Sequence, residues 1–383
     1  MVNYQMMNTK IPKRIIVAMS GGVDSSVAAA LLKEKGYEVI GITLKLWRPS
    51  FSKETKGSSC CSINDINDAK RVCDKLGIAH YIYNLEDEFQ NKVVDDFVTE
   101  YFAGKTPNPC VRCNLFIKFD LLFEYAMALG ADYLATGHYA RITRAVKYRL
   151  CKAADPSKDQ SYFLYMLNQT QLSRLLFPLG DLTKTRVREI AQNFGLATAD
   201  KDESMDVCFL EGRDYREFLA EKPGAGAFGK GLIKMRDGKI LGEHNGLHLY
   251  TIGQRDNLGV SLGHRLYVLE KNTKENCLVV GKASENITSG CTVNNVNWCN
   301  GVAPARNFES TVKIRYRHKG VQSRVIPSSE SEAVLEFLSP QGSITPGQSA
   351  VFYAGDEVLG GGIIQAPACV STDTPSACEQ RNN

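Results

Sequence analysis

Met19-Ser20-Gly21-Gly22-Val23-Asp24-Ser25-Ser26 is the stretch on which the reading of this chain turns. It follows Arg14 to Ala18, a run rich in β-branched residues that reads as a buried parallel strand. It precedes Val27-Ala28-Ala29-Ala30-Leu31-Leu32, which reads as a helix closed by Gly36. Strand, glycine turn and helix together cradle an anion, because the N–H groups of the turn and the positive helix end converge on one point. Glycine serves there because a Cβ would block close approach and oppose positive φ. Ser20 and Ser25 add hydroxyl donors. The G-x-x-x-x-G-K-[ST] spacing and its lysine are absent, which excludes a Walker loop.

Outward from this turn, strands and helices alternate. Glu38 to Leu44, Ala79 to Tyr83 and Tyr133 to Thr136 read as strands. Asn64 to Leu76, Glu86 to Phe102 and Leu115 to Leu129 read as helices, the second with Phe89, Val93, Val94, Phe97 and Tyr101 at helical spacing. The alternation predicts an α/β fold with a doubly wound parallel sheet. Ligands of such sheets bind beyond the carboxyl ends of the strands, where both Ser20–Ser25 and Gly137 fall. Trp47 to Ser62 lacks periodicity and reads as a long loop in which Cys60 and Cys61 are incidental.

The character changes after Leu210. Glu221 to Phe228 is a breaker-rich connector, and short β-like runs follow between Gly, Asn and Asp. These predict two small, mainly β domains, the last barrel-like. The expected division is 1–210, 211–279 and 280–370, with a polar, disordered tail at 371–383. The 383 residues carry 46 Lys+Arg against 42 Asp+Glu, a net charge of +4 that permits nucleic-acid binding without demanding it. The start has no apolar leader and no run approaches the roughly 18 apolar residues of a membrane span. A cytoplasmic protein without membrane contact is expected. The 12 cysteines then suggest thiol chemistry, metal ligation or packing rather than disulfides. Cys73, Cys151, Cys277 and Cys291 stand in apolar or irregular settings and read as inert.

Thr106-Pro107-Asn108-Pro109-Cys110-Val111-Arg112-Cys113-Asn114 is the second informative stretch. Pro109 forces Asn108 into an extended conformation. A helix beginning near Asn114 would place Cys113 near its N-terminus, a setting that favours thiolate, with Arg112 adding positive charge. A structural zinc site would need a second C-x-x-C, which the chain lacks. Cys208, within Ser204 to Leu210, closes the α/β region and is a third candidate thiol.

S-G-G-x-D-S resembles the signature of PP-loop ATP pyrophosphatases. The chain as a whole resembles the tRNA-specific 2-thiouridylases over Ala18–Ser26, Gly104–Asp120, Ala135–Arg141, Lys158–Leu164, Asp206–Gly212, His248–Arg255 and Ile344–Tyr353. The resemblance implies ATP-dependent 2-thiolation of the wobble uridine in a tRNA anticodon stem-loop. The uracil oxygen would be adenylated, and persulfide sulfur would displace AMP. It implies Cys113 as nucleophile and Cys208 as persulfide carrier. Ala18, Met19, Ser20, Gly21, Gly22, Val23, Asp24, Ser25, Leu44 and Gly137 match the family's ATP contacts. Asn108, Pro109 and Cys110 match the segment that touches the target base. His138, Lys158, Asp159, Gln160, Arg315, Tyr316 and Gln348 match tRNA contacts. Implied with them are Mg2+ bound with ATP and a sulfur donor such as a cysteine desulfurase or sulfur-relay protein.

Cys110 departs from the commoner family pattern, which has aspartate there. Cys110, Cys113 and Cys208 therefore admit two arrangements, a three-thiolate set for a [4Fe–4S] cluster and a plain thiol relay. Asp24 admits two roles, magnesium ligand and shaper of the loop. Lys313, Arg315, Arg317 and Lys319 would share one face at strand period and could follow phosphates. Two competing functions are an amidating PP-loop synthetase and a non-catalytic nucleotide-dependent sulfur-relay protein. The cysteine motif and the basic run speak against the first, and tRNA-dependent ATP turnover would exclude the second.

Overall fold

The computed structural model describes residues 13–47, 63–202, 207–224 and 229–368. The long loop with Cys60 and Cys61, residues 203–206, part of the connector and the predicted tail lie outside the described residues.

Strands β1 (Arg14–Ala18), β2 (Glu38–Lys45), β3 (Ala79–Asn84) and β4 (Tyr133–Ala135) fall where the apolar runs place them. An antiparallel hairpin, β5 (Ala140–Arg144) and β6 (Tyr148–Lys152), and a short strand, β7 (Leu175–Leu176), follow. The first sheet has the order β3-β2-β1-β4-β7 and is parallel throughout. Alternate residues of β1 face opposite layers. Ile16 joins one apolar cluster, with Ile42, Leu44 and Leu134, while Ile15 and Val17 join another, with Val27, Ala28 and Ala135. Both faces are covered, which is the doubly wound arrangement the pattern predicts.

The second unit is a four-stranded sheet of order β10-β11-β8-β9, built from β8 (Gly231–Met235), β9 (Ile240–His244), β10 (Tyr267–Asn272) and β11 (Cys277–Gly281). Its core holds Ile233, Leu247, Val268, Leu278 and Val280. The last strands are β12 (Ile287–Trp298), β13 (Phe308–Lys313), β14 (Val321–Pro327), β15 (Glu332–Gly342), β16 (Ser349–Ala354) and β17 (Glu357–Ala368). They pair as β12-β15-β14-β13-β16-β17, and β17 pairs back onto β12, closing a six-stranded barrel. Closure leaves no free edge among these six strands.

The barrel wall is packed against the α/β unit. Cys299, Val351, Tyr353 and Val358 belong to the α/β cluster rather than to the barrel interior. Tyr162 donates to the Ser349 carbonyl at 2.9 Å, and Asn297 Nδ2 donates to the Tyr165 carbonyl at 2.7 Å.

Two expectations change at this scale. The helix carrying Cys113 begins at Pro109, not near Asn114. Asn108 is its N-cap, accepting from Val111 N at 3.3 Å, with proline at the first helical position. Cys113 opens a nine-residue π-type stretch, Cys113–Leu121, and Gln90–Val94 adopts the same wider winding. The basic run Lys313 to Lys319 is not one strand. β13 ends at Lys313, and the chain turns, with His318 N donating to the Arg315 carbonyl at 3.0 Å. The four cations therefore lack a shared strand face, although Arg315, Arg317 and Lys319 are exposed.

Candidate active site

The turn after β1 is built from within. Met19 N donates to the Ile42 carbonyl at 2.8 Å, extending the β1–β2 pairing, and Met19 and Val23 are buried beneath the loop. Ser25 Oγ accepts from Ser20 N at 3.1 Å and donates to the Gly22 carbonyl at 3.1 Å. Ser26 Oγ donates to the same carbonyl at 2.8 Å. Gly21 has φ +70°, and a Cβ there would overlap the Asp65 carbonyl. Gly22 is different: φ is −94°, and a Cβ would meet only Ser20 Oγ, at 3.5 Å. The protein itself thus leaves room for a Cβ at Gly22. Gly137 closes the turn from the end of β4, where a Cβ would lie 2.8 Å from Ser25 N.

Three residues that the sequence did not single out complete the loop. Lys184 Nζ reaches both oxygens of Asp24, at 2.8 and 2.9 Å, and Tyr139 donates to Asp24 Oδ1 at 2.7 Å. Lys201 Nζ donates to the Gly21 carbonyl at 3.0 Å and to Asp65 and Asp68, each at 2.6 Å. Burial lowers the Lys201 pKa, but the hydrogen bonds and charges of the two carboxylates outweigh it, and the net shift is upward. These residues lie far along the chain from the loop, and no local spacing signals them.

Cys113 and Cys208 meet at one apolar cluster only in the sense that the first is a member and the second packs against it. Leu44 and Cys113 are buried in the same apolar cluster, and Ala18, Trp47 and Cys208 pack against it. Cys113 is buried, Cys208 half-buried and Cys110 exposed. Burial pushes the thiols of Cys73 and Cys291 up to about 12, with Asp74 adding to the first.

The remaining candidates are scattered between interior and surface. Pro109 is buried. His138 is half-buried, its Nδ1 2.7 Å from Thr136 Oγ1, and desolvation followed by the Lys118 charge holds its imidazole well below the ordinary range. Asp159 is interior and accepts from Ala153 N at 3.1 Å and Ser161 Oγ at 3.0 Å. Gln160 Oε1 accepts from Tyr139 N at 2.9 Å, bracing the tyrosine that holds Asp24. Lys158 is half-buried and Arg315 exposed. Tyr316 packs on Phe163 with ring centroids 4.5 Å apart. Gln348 Nε2 donates to the Thr106 carbonyl at 2.9 Å. A cavity of about 300 Å³ opens beside Asn108, between the cysteine helix and the barrel, with Arg112, Phe116, Tyr165, Asn295 and Ser349 in its walls.

Family comparison accounts for nearly the whole chain. The model of the tRNA methyl transferase HUP domain matches residues 13–212, that of the PRC-barrel domain 216–282, and that of the aminomethyltransferase β-barrel domain 288–364. The chain is similar to the tRNA-specific 2-thiouridylase MnmA of Geobacter metallireducens, at 50% identity over 365 residues, covering 94% of this chain and 99% of that protein. It is 48% identical to the enzyme of the same name from Geotalea uraniireducens over 358 residues, covering 92% and 95%. This chain belongs to the tRNA-specific 2-thiouridylase family. A solved structure, the U34-tRNA thiolase NcsA of Methanococcus maripaludis with its [4Fe–4S] cluster, is matched at TM-score 0.33 and 18% identity over 56% of this chain and 74% of that one, too weakly to bear on it.

Within this 2-thiouridylase fold the three cysteines do not assemble a cluster site. Among the described residues no group of three or more His, Cys, Asp or Glu is placed to hold a metal ion. The cysteine helix turns Cys110 to solvent while Cys113 enters the apolar layer. The cluster arrangement therefore lacks its donor set here. No helix among the described residues is long and apolar enough to cross a membrane.

Proposed function

We propose that this chain uses ATP to replace the C2 oxygen of the wobble uridine of tRNA with sulfur. The observations that support the reading are the glycine turn after β1 and one apolar cluster that includes Leu44 and Cys113 and against which Ala18 and Cys208 pack. The nucleotide phosphates occupy the Ser20–Ser25 turn against Gly22 and Gly137, bringing their magnesium with them. Asp24, already engaged by Lys184 and Tyr139, shapes the turn rather than holding the metal. The uracil O2 attacks the α-phosphorus, and pyrophosphate leaves. The outer sulfur of a Cys208 persulfide attacks C2 and expels AMP, leaving a C2–S–S–Cys208 adduct. Cys113 thiolate then attacks the Cys208 sulfur, the S–S bond breaks, and 2-thiouridine departs. The Cys113–Cys208 disulfide so formed is reduced by an external thiol. A separate donor, such as a cysteine desulfurase or sulfur-relay protein, restores the persulfide.

Residues 1–210 hold ATP and the thiols in this scheme. Residues 211–279 form the central β unit, and 280–370 form a barrel that grips tRNA. The cavity beside Asn108 is of a size to receive a base turned out of its stack. Sulfur transfer uses both the anion turn and the thiol pair, whereas methyl transfer would leave the anion turn without a role.

Nucleotide analysis tests the scheme. Protein, tRNA, magnesium and ATP should yield AMP and pyrophosphate, in a reaction that requires tRNA. ADP and phosphate as products would overturn it, and turnover without tRNA would favour an amidating synthetase.

A further inference from the structure

We propose that Gly104, Lys105 and Thr106 form a clamp by which both β units position the segment leading into the cysteine helix. The helix Asp95–Phe102 ends just before these residues, and the cysteine helix is capped by Asn108 just after them. Gly104 and Lys105 meet the central unit, and Thr106 meets the barrel. Gly104, at φ +79°, lies so close to the central sheet that a Cβ would approach Thr273 Cγ2 to 2.8 Å. The Lys105 carbonyl faces Lys271 Nζ at 3.5 Å, and that ammonium is held by the Tyr250 carbonyl at 2.9 Å. Thr106 N donates to the Pro346 carbonyl at 2.9 Å, and its own carbonyl accepts from Gln348 Nε2 at 2.9 Å.

The barrel side of the clamp is shaped for this contact. Gly347 has φ +91°, and a Cβ on it would stand 3.0 Å from the Thr106 N, C and O atoms. The Pro346–Gln348 turn therefore lies directly on the Thr106 peptide. It is tied to β17 by Gly347 N to the Ile364 carbonyl and by Ile364 N to the Gln348 carbonyl, both at 2.9 Å. Between the clamp and Cys110 stand Pro107, Asn108 and Pro109. Proline fixes φ and restricts its predecessor, so a shift at Thr106 is carried to the helix start rather than absorbed. Gln348 and Lys271 are on this account positioning residues, which act on the thiol helix through Thr106 and Lys105.

The proposal rests on the thiolation reading for its consequence but not for its test. Gln348→Met keeps the length of the side chain and removes the donor, and Lys271→Met does the same on the other side. In protein without tRNA, alkylation of the buried Cys113 and amide exchange of the peptide containing Thr106 are followed by mass spectrometry. Loss of one hydrogen bond should raise both rates about five-fold in Gln348→Met. The single-turnover thiolation rate at saturating tRNA should fall by about the same factor, with KM for tRNA within about two-fold of the parent. Unchanged alkylation and exchange in both variants would overturn the clamp. Weakened tRNA binding with those two rates unchanged would also overturn it and assign Gln348 to RNA contact. A parent protein that fails to thiolate contradicts the functional reading, while the tRNA-free rates still decide the clamp.

Discussion

Gly21 and Gly22 are neighbours with opposite reasons for being glycine. Gly21 is required by the fold, through its positive φ and the Asp65 carbonyl against it. Gly21→Ala should therefore cost roughly 1–3 kcal/mol of stability in denaturant unfolding. Gly22→Ala meets no such obstacle and should cost about 1 kcal/mol or less, chiefly as a weaker N-cap. It should nevertheless abolish tRNA-dependent pyrophosphate release, because the methyl group would stand where the phosphates approach. Retained turnover in a folded Gly22→Ala variant would remove the anion site from this turn. Lys271 gives a second test at this scale. Burial lowers its pKa from 10.5 to about 7. The unfolded chain then binds more protons between those values, so this residue's penalty is complete below about pH 7 and fades as pH rises toward 10.5. Relative to the parent, Lys271→Met should lose ground by about 1.4 kcal/mol for each pH unit across that window. A pH-independent difference in unfolding free energy would show that the lysine is not buried as described.

Helices and turns show what local sequence carries and what it omits. The glycine turn was legible because strand, turn and helix are all local patterns around Ser20–Ser25. Asn108-Pro109 is itself a local signal for the start of the cysteine helix, an N-cap followed by proline at the first helical position. The basic run differs, since strand period cannot reveal that the chain leaves the sheet after Lys313. Lys184 was invisible because its partner lies 160 residues away. The helix Lys184–Asn193 exists, on this account, partly to bring that ammonium to Asp24. Lys184→Met and Asp24→Asn, combined in a double-mutant cycle, should show a coupling of about 1–2 kcal/mol in stability. Additivity within about 0.3 kcal/mol would demote the pair to a surface contact.

At the scale of the whole molecule, alternation of strands and helices announced the parallel sheet, and short punctuated runs announced β units. The return of β17 onto β12 was not legible, because barrel closure pairs strands distant in sequence. The same closure presents the turn after β13, with exposed Arg315 and Arg317, beside the layer that holds Tyr316 on Phe163. Arg315→Ala and Arg317→Ala should each weaken tRNA binding and lower the log–log salt slope by up to about one unit. ATP affinity without tRNA should stay as in the parent, and unaltered tRNA affinity in both would leave this turn outside the RNA path. The most direct test is mass spectrometry of tRNA after incubation with the protein, ATP, magnesium and a persulfide source. The account predicts an exchange of oxygen for sulfur at the wobble uridine with the parent chain, and none with Cys113→Ala or Cys208→Ala. An unmodified anticodon loop with folded, ATP-binding parent protein, or full thiolation by either cysteine variant, would contradict it.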